Sequence, residues 1–459
     1  MKKRIAIVGA GLCGSFLAAL LRNDFDVTVI EQSKAKYPIY DDVLCEQGEI
    51  NSSINRGAGL GGTTSYWHDA LIELAESDLI RAGIHPSAMS PYYAKAWSLF
   101  LPKEIKLECD RISERNRAFI RGNENFDIGH MVVPYHRANA WGLANKQYPG
   151  EQITVIYGHA DRLATNSESA ESHLVIHGET GLSLVQADYF VFCAGGLGTP
   201  PLLARSLGHE NAFYGGYHDH PMTYVAKIQL SPNSFLKRIS SARTTVTDVR
   251  SGFVFQSNGI KTVFYLRPAI NLGLRSVTGV SRYILSDLRN SPFSPTKIWR
   301  LLTNLDAIKE ALLFKSKSGF HGDFYSVLML GEQLARPSRG ISLTKGKRPA
   351  LNWHVMPEEH SAYENCFGQF LTTFADEIIS ANAIRAEHWE YRTAAHHSGA
   401  SSALLGTSDE LKLPFFSVNA MPNTFVCDAS LLRASGISNT GLTLVGLTHR
   451  LAEHLQDLR

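Results

Sequence analysis

At 459 residues the chain exceeds the size at which a single hydrophobic core stops growing, so two interlocked domains are expected. Apolar residues make up 44% and charged residues 19%, which excludes a disordered or fibrous chain. Lys and Arg total 45 against 43 Asp and Glu, a near balance that gathers no polyanion; nucleic acid is not an expected partner, and a small or neutral substrate fits better.

The chain opens with Lys2-Lys3-Arg4 and an uncharged run from Ile5 to Leu21 that superficially resembles a signal peptide. The glycine spacing inside the run argues otherwise, since cleavage would remove the segment best suited to holding a phosphate. No later stretch reaches the roughly 18 apolar residues of a spanning helix. The six cysteines (Cys13, Cys45, Cys109, Cys193, Cys366, Cys427) are scattered without a C-x-x-C pair. A cytoplasmic location without membrane association is therefore expected.

Ile5-Ala6-Ile7-Val8 breaks at Gly9-Ala10-Gly11-Leu12-Cys13-Gly14, and apolar residues resume at helical spacing through Phe16, Leu17, Leu20 and Leu21. This predicts strand, tight turn and helix. Gly9, Gly11 and Gly14 permit the turn, admit a pyrophosphate against bare backbone and let the helix sit close to its strand. A second strand, Val27–Ile30, ends in Glu31, where a ribose hydroxyl needs an acceptor and an extra phosphate would be disfavoured. The pattern points to FAD or NAD rather than NADP. A second glycine loop, Gly57 to Trp67, crowds small and hydroxyl residues where backbone could approach a bound ring.

Gly61, Gly62, Thr63 and Trp67 are in register with the loop GGTSNxWGG of the glucose-methanol-choline (GMC) oxidoreductases, particularly the shorter bacterial members, although His68 and Asp69 depart from its glycines. Further stretches resemble that family in the same chain order, over nearly the whole chain. Val191 to Leu203 is similar to its second signature, a strand ending in Ala194-Gly195 beside the cofactor. Val155, in Ile153–Ile156, matches a backbone contact to the adenine end. Tyr217-His218-Asp219-His220-Pro221 and Glu332-Gln333 match its Asp-His and Glu-Gln elements, and Asp428-Ala429 its last cofactor contact. The resemblance implies FAD, bound non-covalently because Tyr66 stands where covalently flavinylated members carry histidine. His218 and His220 could otherwise suggest a metal site, but no third ligand follows at a telling interval, so none is expected.

His396-His397-Ser398-Gly399-Ala400 resembles the family's His-Pro-x-Gly-Thr element, which places His396 at the active-site histidine with His397 as the reserve candidate. Asn439, in Ser435–Thr440, falls where members carry a second active-site His or Asn. Alcohol oxidation moves a hydride to flavin N5 while a base takes the hydroxyl proton, a task that neutral histidine suits, with Asn439 as hydrogen-bond donor.

The resemblance implies an α/β plus α+β architecture: a discontinuous Rossmann-like FAD-binding domain (1–90, 150–215, 395–459) and an antiparallel-sheet substrate domain capping the flavin (216–394), with 91–149 as a connecting or cap segment. Tyr224–Ile228, Thr262–Leu266 and Phe324–Leu328 are predicted strands of that cap. The basic amphipathic stretch 297–317 predicts a helix packed on its own domain, the other readings being a membrane surface or a gate for an anionic substrate. The expected function is an FAD-dependent alcohol dehydrogenase or oxidase acting on a sugar-like or polyol CH–OH group, with oxygen, a quinone or a redox protein as electron acceptor. Left open are a non-oxidative GMC-type enzyme such as a lyase, a module that FAD merely stabilises, and an NAD-dependent dehydrogenase.

Overall fold

The run Ile5–Val8 is apolar throughout because it is covered on both faces. It lies in strand β1 (Arg4–Val8), at the centre of a five-stranded parallel sheet with β2 (Asp26–Glu31), β3 (Thr154–Tyr157), β4 (Tyr189–Phe192) and β5 (Thr424–Val426) in the order β5-β4-β1-β2-β3. The registers Ile5↔Val27 and Ile5↔Tyr189 put β1 between its two parallel neighbours. The chain leaves β1 in one direction for β2 and β3 and returns on the other side as β4 and β5. Ligands of open α/β sheets bind at such a reversal, outside the carboxyl ends of the strands.

The computed structural model of the chain describes residues 2–39, 44–45, 56–67, 69–120, 125–135, 139–165, 172–209, 211–269 and 323–459, with 295 and 299. His68 lies outside the described residues, as does the basic stretch 297–317 apart from Trp299. Helix α1 (Leu12–Leu21) follows β1, α2 (Thr199–Ser206) follows β4, and α3 (Gly441–Asp457) closes the chain against α1. Among the described residues no helix is long and apolar enough to cross a membrane.

The other large layer is an eight-stranded antiparallel sheet built on Thr247–Ser257, Ile260–Pro268, Phe324–Gly331 and Pro221–Leu230, with Asp127–Pro134 along one edge. Alternation divides its faces. Phe253, Phe255 and Phe264 point one way and stack on Phe367 and Phe370 of the helix Pro357–Thr373. Tyr224, Tyr265 and Leu328 point the other way, against Ile437. The fold is therefore a Rossmann-like parallel sheet, assembled from three separated parts of the chain, combined with antiparallel sheets.

Candidate active site

Between the parallel sheet and the second face of the eight-stranded sheet lies a cavity of about 1410 Å³, above the roughly 300–1,000 Å³ of an ordinary small-ligand pocket. At its β1 end the two glycine loops meet. Gly61 N donates to Ala10 O at 2.8 Å, and a side chain on Gly62 would stand 2.9 Å from Gly11 Cα. Gly9 has φ +98° and faces the Cys193 carbonyl so closely that a Cβ would come within 2.5 Å of it. Gly11 opens on free space and begins α1 without a side-chain cap, leaving first-turn amides for an anion.

Of the residues expected at the cofactor, Gly9, Gly11, Glu31, Gly62, Thr63, Trp67, Ala194, Gly195, Asp428 and Ala429 line this one cavity. Gly14, Gly61 and Val155 do not. A Cβ on Gly14 would lie 1.9 Å from Gly9 O, so this glycine sets how closely α1 approaches the turn. Gly61 ties the loops from behind. Val155 pairs with Val29 inside the sheet, and Gly158, His159 and Ala160 beyond the strand end line the cavity in its place.

Glu31 Oε2 accepts from Ala10 N at 2.9 Å and Oε1 from Gly59 N at 3.0 Å, so it holds both loops and keeps further lone pairs for a ligand. Asp428 accepts from Gly195 N at 2.9 Å, from Ser430 N at 2.8 Å and from the Thr199 hydroxyl, joining the ends of β4 and β5 at the cavity wall. Burial pushes the Asp428 carboxyl up, against the pull of these hydrogen bonds.

His396, His397 and Asn439 line the same cavity. The histidine segment leaves Ala395 and Ala400 at φ +62° and +60°, left-handed values that a non-glycine residue adopts only where its surroundings enforce them. Asp219 provides much of that constraint. Fully buried, it accepts from His396 N at 3.0 Å, His220 N at 2.7 Å and the Thr393 hydroxyl, and lies 3.3 Å from His397 Nδ1. Burial would raise its carboxyl, but the hydrogen bond and charge of His397, with His396 and His220 beyond, hold it well below the usual carboxylate range.

The ring protons can be traced from one fixed acceptor. His220 Nε2 lies 2.8 Å from the Gly436 carbonyl, which can only accept, so this nitrogen carries the proton. Burial, with His396 alongside, lowers His220 to about 3, leaving it neutral and its Nδ1 a lone pair. His396 Nδ1, 2.7 Å away, must then donate, which leaves His396 Nε2 as the basic nitrogen. His396 is itself pushed below its ordinary value, chiefly by burial. Asn439 Oδ1 accepts from Gly441 N at 3.0 Å, so its NH₂ is the side left to donate. The ring of Trp67 packs beside Gly441, bringing the second glycine loop to this turn. His397 Nδ1 is 2.7 Å from Tyr217 Oη, and its Nε2 is buried without a partner.

The sequence singles out His396, His397 and Asn439, whereas Tyr217–Pro221 is matched there to the family's Asp-His element without a role at the histidines. Asp219, His220 and Tyr217 are the contacts that orient the two histidines. The unusual density of hydrogen-bonding side chains in Tyr217-His218-Asp219-His220 was the available signal. Among the described residues no group of His, Cys, Asp or Glu is arranged to hold a metal ion, and burial keeps His218, with its Nε2 unpaired, at about 4.

No protein-family model and no curated protein matches the chain. Solved structures do. Pyridoxine 4-oxidase from Mesorbium loti aligns over 98% of this chain and 99% of its own, at TM-score 0.57 and 15% identity. A formate oxidase variant from Aspergillus oryzae, described for its effect on FAD modification, aligns over 100% and 98% at 0.61 and 13%. An FAD-dependent oxidoreductase from Chaetomium thermophilum aligns over 100% and 99% at 0.59 and 12%. The chain shares the fold of these proteins from end to end.

Proposed function

We propose that this chain is an FAD-dependent oxidoreductase of the glucose-methanol-choline type that oxidises a CH–OH group of a small, sugar-like or polyol alcohol. Its fold is that of FAD enzymes over its full length, and one observation carries the reading furthest. A single cavity joins a glycine-lined dinucleotide cleft to a histidine whose basic nitrogen is set by a hydrogen-bond relay. Residues 1–90, 150–215 and 395–459 form the cofactor-holding unit, 216–394 the substrate-facing unit and 91–149 the connection between them.

FAD fits the residues present. The bare backbone at Gly9 and Gly11, with the uncapped start of α1, suits the pyrophosphate, Glu31 a ribose and Ala194–Gly195 with Asp428 the middle of the cofactor. When bound, FAD supplies the acceptor for the substrate hydride. The chain supplies the rest. His396 Nε2 takes the hydroxyl proton, and the Asn439 amide donates to the oxygen on which negative charge develops. A neutral histidine next to a neutral amide lets that charge build without a competing anion. The final electron acceptor would be oxygen, a quinone or a redox protein.

Anaerobic titration of the purified protein with a panel of alcohols tests this reading. Loss of the flavin colour by at least one alcohol, with formation of the carbonyl product, is the expected result. A colourless protein, or a yellow one that no alcohol reduces, overturns it. Acid precipitation is expected to leave the flavin in the supernatant, since Tyr66 offers no histidine nitrogen for covalent attachment. Gly14→Ala is expected to lower the flavin-to-protein ratio severalfold or more, because its methyl would meet the Gly9 carbonyl and force α1 away from the turn; the absorbance ratio at 450 and 280 nm reports it.

A further inference from the structure

Two deeply buried acids lie outside the histidine cluster. Asp78, in the short helix Glu76–Arg81, and Glu332, just past the strand Phe324–Gly331, are 0% and 1% exposed. They share two cations. Arg81 donates to Asp78 Oδ1 at 2.6 Å and to Glu332 Oε1. Lys261, in the strand Ile260–Pro268, donates its Nζ to the same Asp78 oxygen at 2.7 Å and its backbone N–H to Glu332 Oε2 at 3.0 Å. A buried network of this kind gains little stability over apolar packing of equal volume, and its best-attested use is to specify one arrangement of the chain around it.

What this network arranges is the turn that carries Asn439. Asp78 Oδ2, the oxygen that the two cations leave over, is buried without a hydrogen-bond partner and faces Gly436, where a Cβ would stand 2.0 Å from it. Gly436 also has φ +56°, so the position needs glycine both for its backbone and for its bare Cα. Ser438 N closes the turn on Ser435 O at 3.1 Å, and Ser438 Oγ donates at 3.1 Å to the carbonyl of Glu73, three residues before the helix of Asp78. The Gly436 carbonyl is the acceptor that fixes the proton on His220 Nε2, and Ser435 Oγ lies 3.3 Å from the same nitrogen. The acid that presses on Gly436 therefore stands at the far end of the relay that leads to His396.

We propose that Asp78 is a positioning residue for the oxidation: held by Arg81 and Lys261, its carboxylate sets where the Gly436 carbonyl stands, and that carbonyl keeps the proton on His220 Nε2 and the lone pair on His396 Nε2. The kinetic part of this rests on the function proposed above, whereas the ring tautomers do not. Once the turn shifts, His220 is free to carry its proton on Nδ1 instead. It then donates to His396 Nδ1, which must accept, and the remaining proton of His396 sits on Nε2. A neutral ring in that tautomer has no lone pair for the substrate's proton. Asn439, three residues after Gly436, shifts with the same turn.

Gly436→Ala, Asp78→Ser and the double variant test this in the flavin-loaded protein, labelled with heavy nitrogen in its histidines. A proton–nitrogen correlation spectrum, assigned by the signals lost in His396→Ala and His220→Ala, should show native His396 protonated at Nδ1 and native His220 at Nε2. In Gly436→Ala the His396 proton should move to Nε2, and kcat for anaerobic flavin reduction by an alcohol should fall by about tenfold or more with KM little changed, the mark of a base held in the wrong tautomer. Asp78→Ser should show the same shift in part. Its shorter side chain also leaves room for a methyl at Gly436, so in that background Gly436→Ala should lower kcat by only about threefold or less, the coupling expected of residues in contact. The cost of a left-handed alanine is common to both backgrounds and cancels. An equal loss of kcat in the two backgrounds, or a native His396 tautomer in Gly436→Ala, overturns the proposal. Should one single variant fail to fold, the His396 tautomer in the other decides. If no alcohol reduces the flavin of the native protein, the proposed function fails, while the tautomers still report whether Asp78 sets the relay.

Discussion

Replacing His396 by alanine is expected to slow anaerobic reduction of the flavin by substrate by about 10²–10⁴-fold, the range over which a positioned base contributes. Flavin content should remain that of the native protein, because the substitution leaves the glycine loops, Glu31 and Asp428, the groups offered to the cofactor, in place. The pH dependence carries a second signature. A base lowered by burial stays unprotonated below the ordinary histidine value of 6.5, so kcat/KM should hold steady as pH falls through 6.5 and decline only below it. Reduction in His397→Ala should be slowed less. Stopped-flow bleaching at several pH values checks all three expectations, and the reverse order of the two alanine variants would transfer the base to His397.

The parts legible in the sequence were those written locally. Strand β1, its glycine turn and α1 follow from a short run of residues whose spacing reflects backbone geometry, and Glu31 ends the next strand for the same reason. Trp67, Ala194, Asp428 and Asn439 were legible through the resemblance to the glucose-methanol-choline signatures, and one cavity gathers them although they come from distant parts of the chain. Val155 shows the limit of local reading. Its strand was foreseen, but the cavity wall begins past the strand end at Gly158, a matter of where β3 stops relative to β2.

What was not legible depends on contacts across large sequence separations. The bond from His220 to His396 spans 176 residues and that from His220 to Gly436 spans 216, and no periodicity in either segment reports the other. Alternation in the strands around Tyr224 and Tyr265 marks one face of each strand, but not whether that face meets a helix or a cavity. Only the phenylalanines on the opposite face, stacked on Phe367 and Phe370, decide it.

Asp219→Asn is expected to be the most damaging substitution outside the histidines themselves. The carboxylate receives two backbone amides and the Thr393 hydroxyl and faces His397 Nδ1, all within a fully buried site. An amide of the same shape offers one accepting oxygen in place of two, so at least one buried donor loses its partner. Breaking such a buried charged arrangement costs about 3–5 kcal/mol. The stability that the carboxylate contributes is fully present at neutral pH and is lost as acid protonates it, because its folded value lies below the unfolded one of 3.8. The variant should therefore melt lower at pH 7, and the gap should narrow as pH falls below about 4.

A loss of stability alone would mark Asp219 as structural, and the pH profile separates that case from a positioning role. Its negative charge supports protonation of His396, against the burial that opposes it. Without that charge His396 becomes a weaker base, so the acid limb of kcat/KM should move to still lower pH while the plateau of flavin reduction falls by about 10²-fold. A variant that melts lower but keeps both the native acid limb and the native plateau would leave Asp219 a scaffold residue, and the relay through His220 alone would then hold His396.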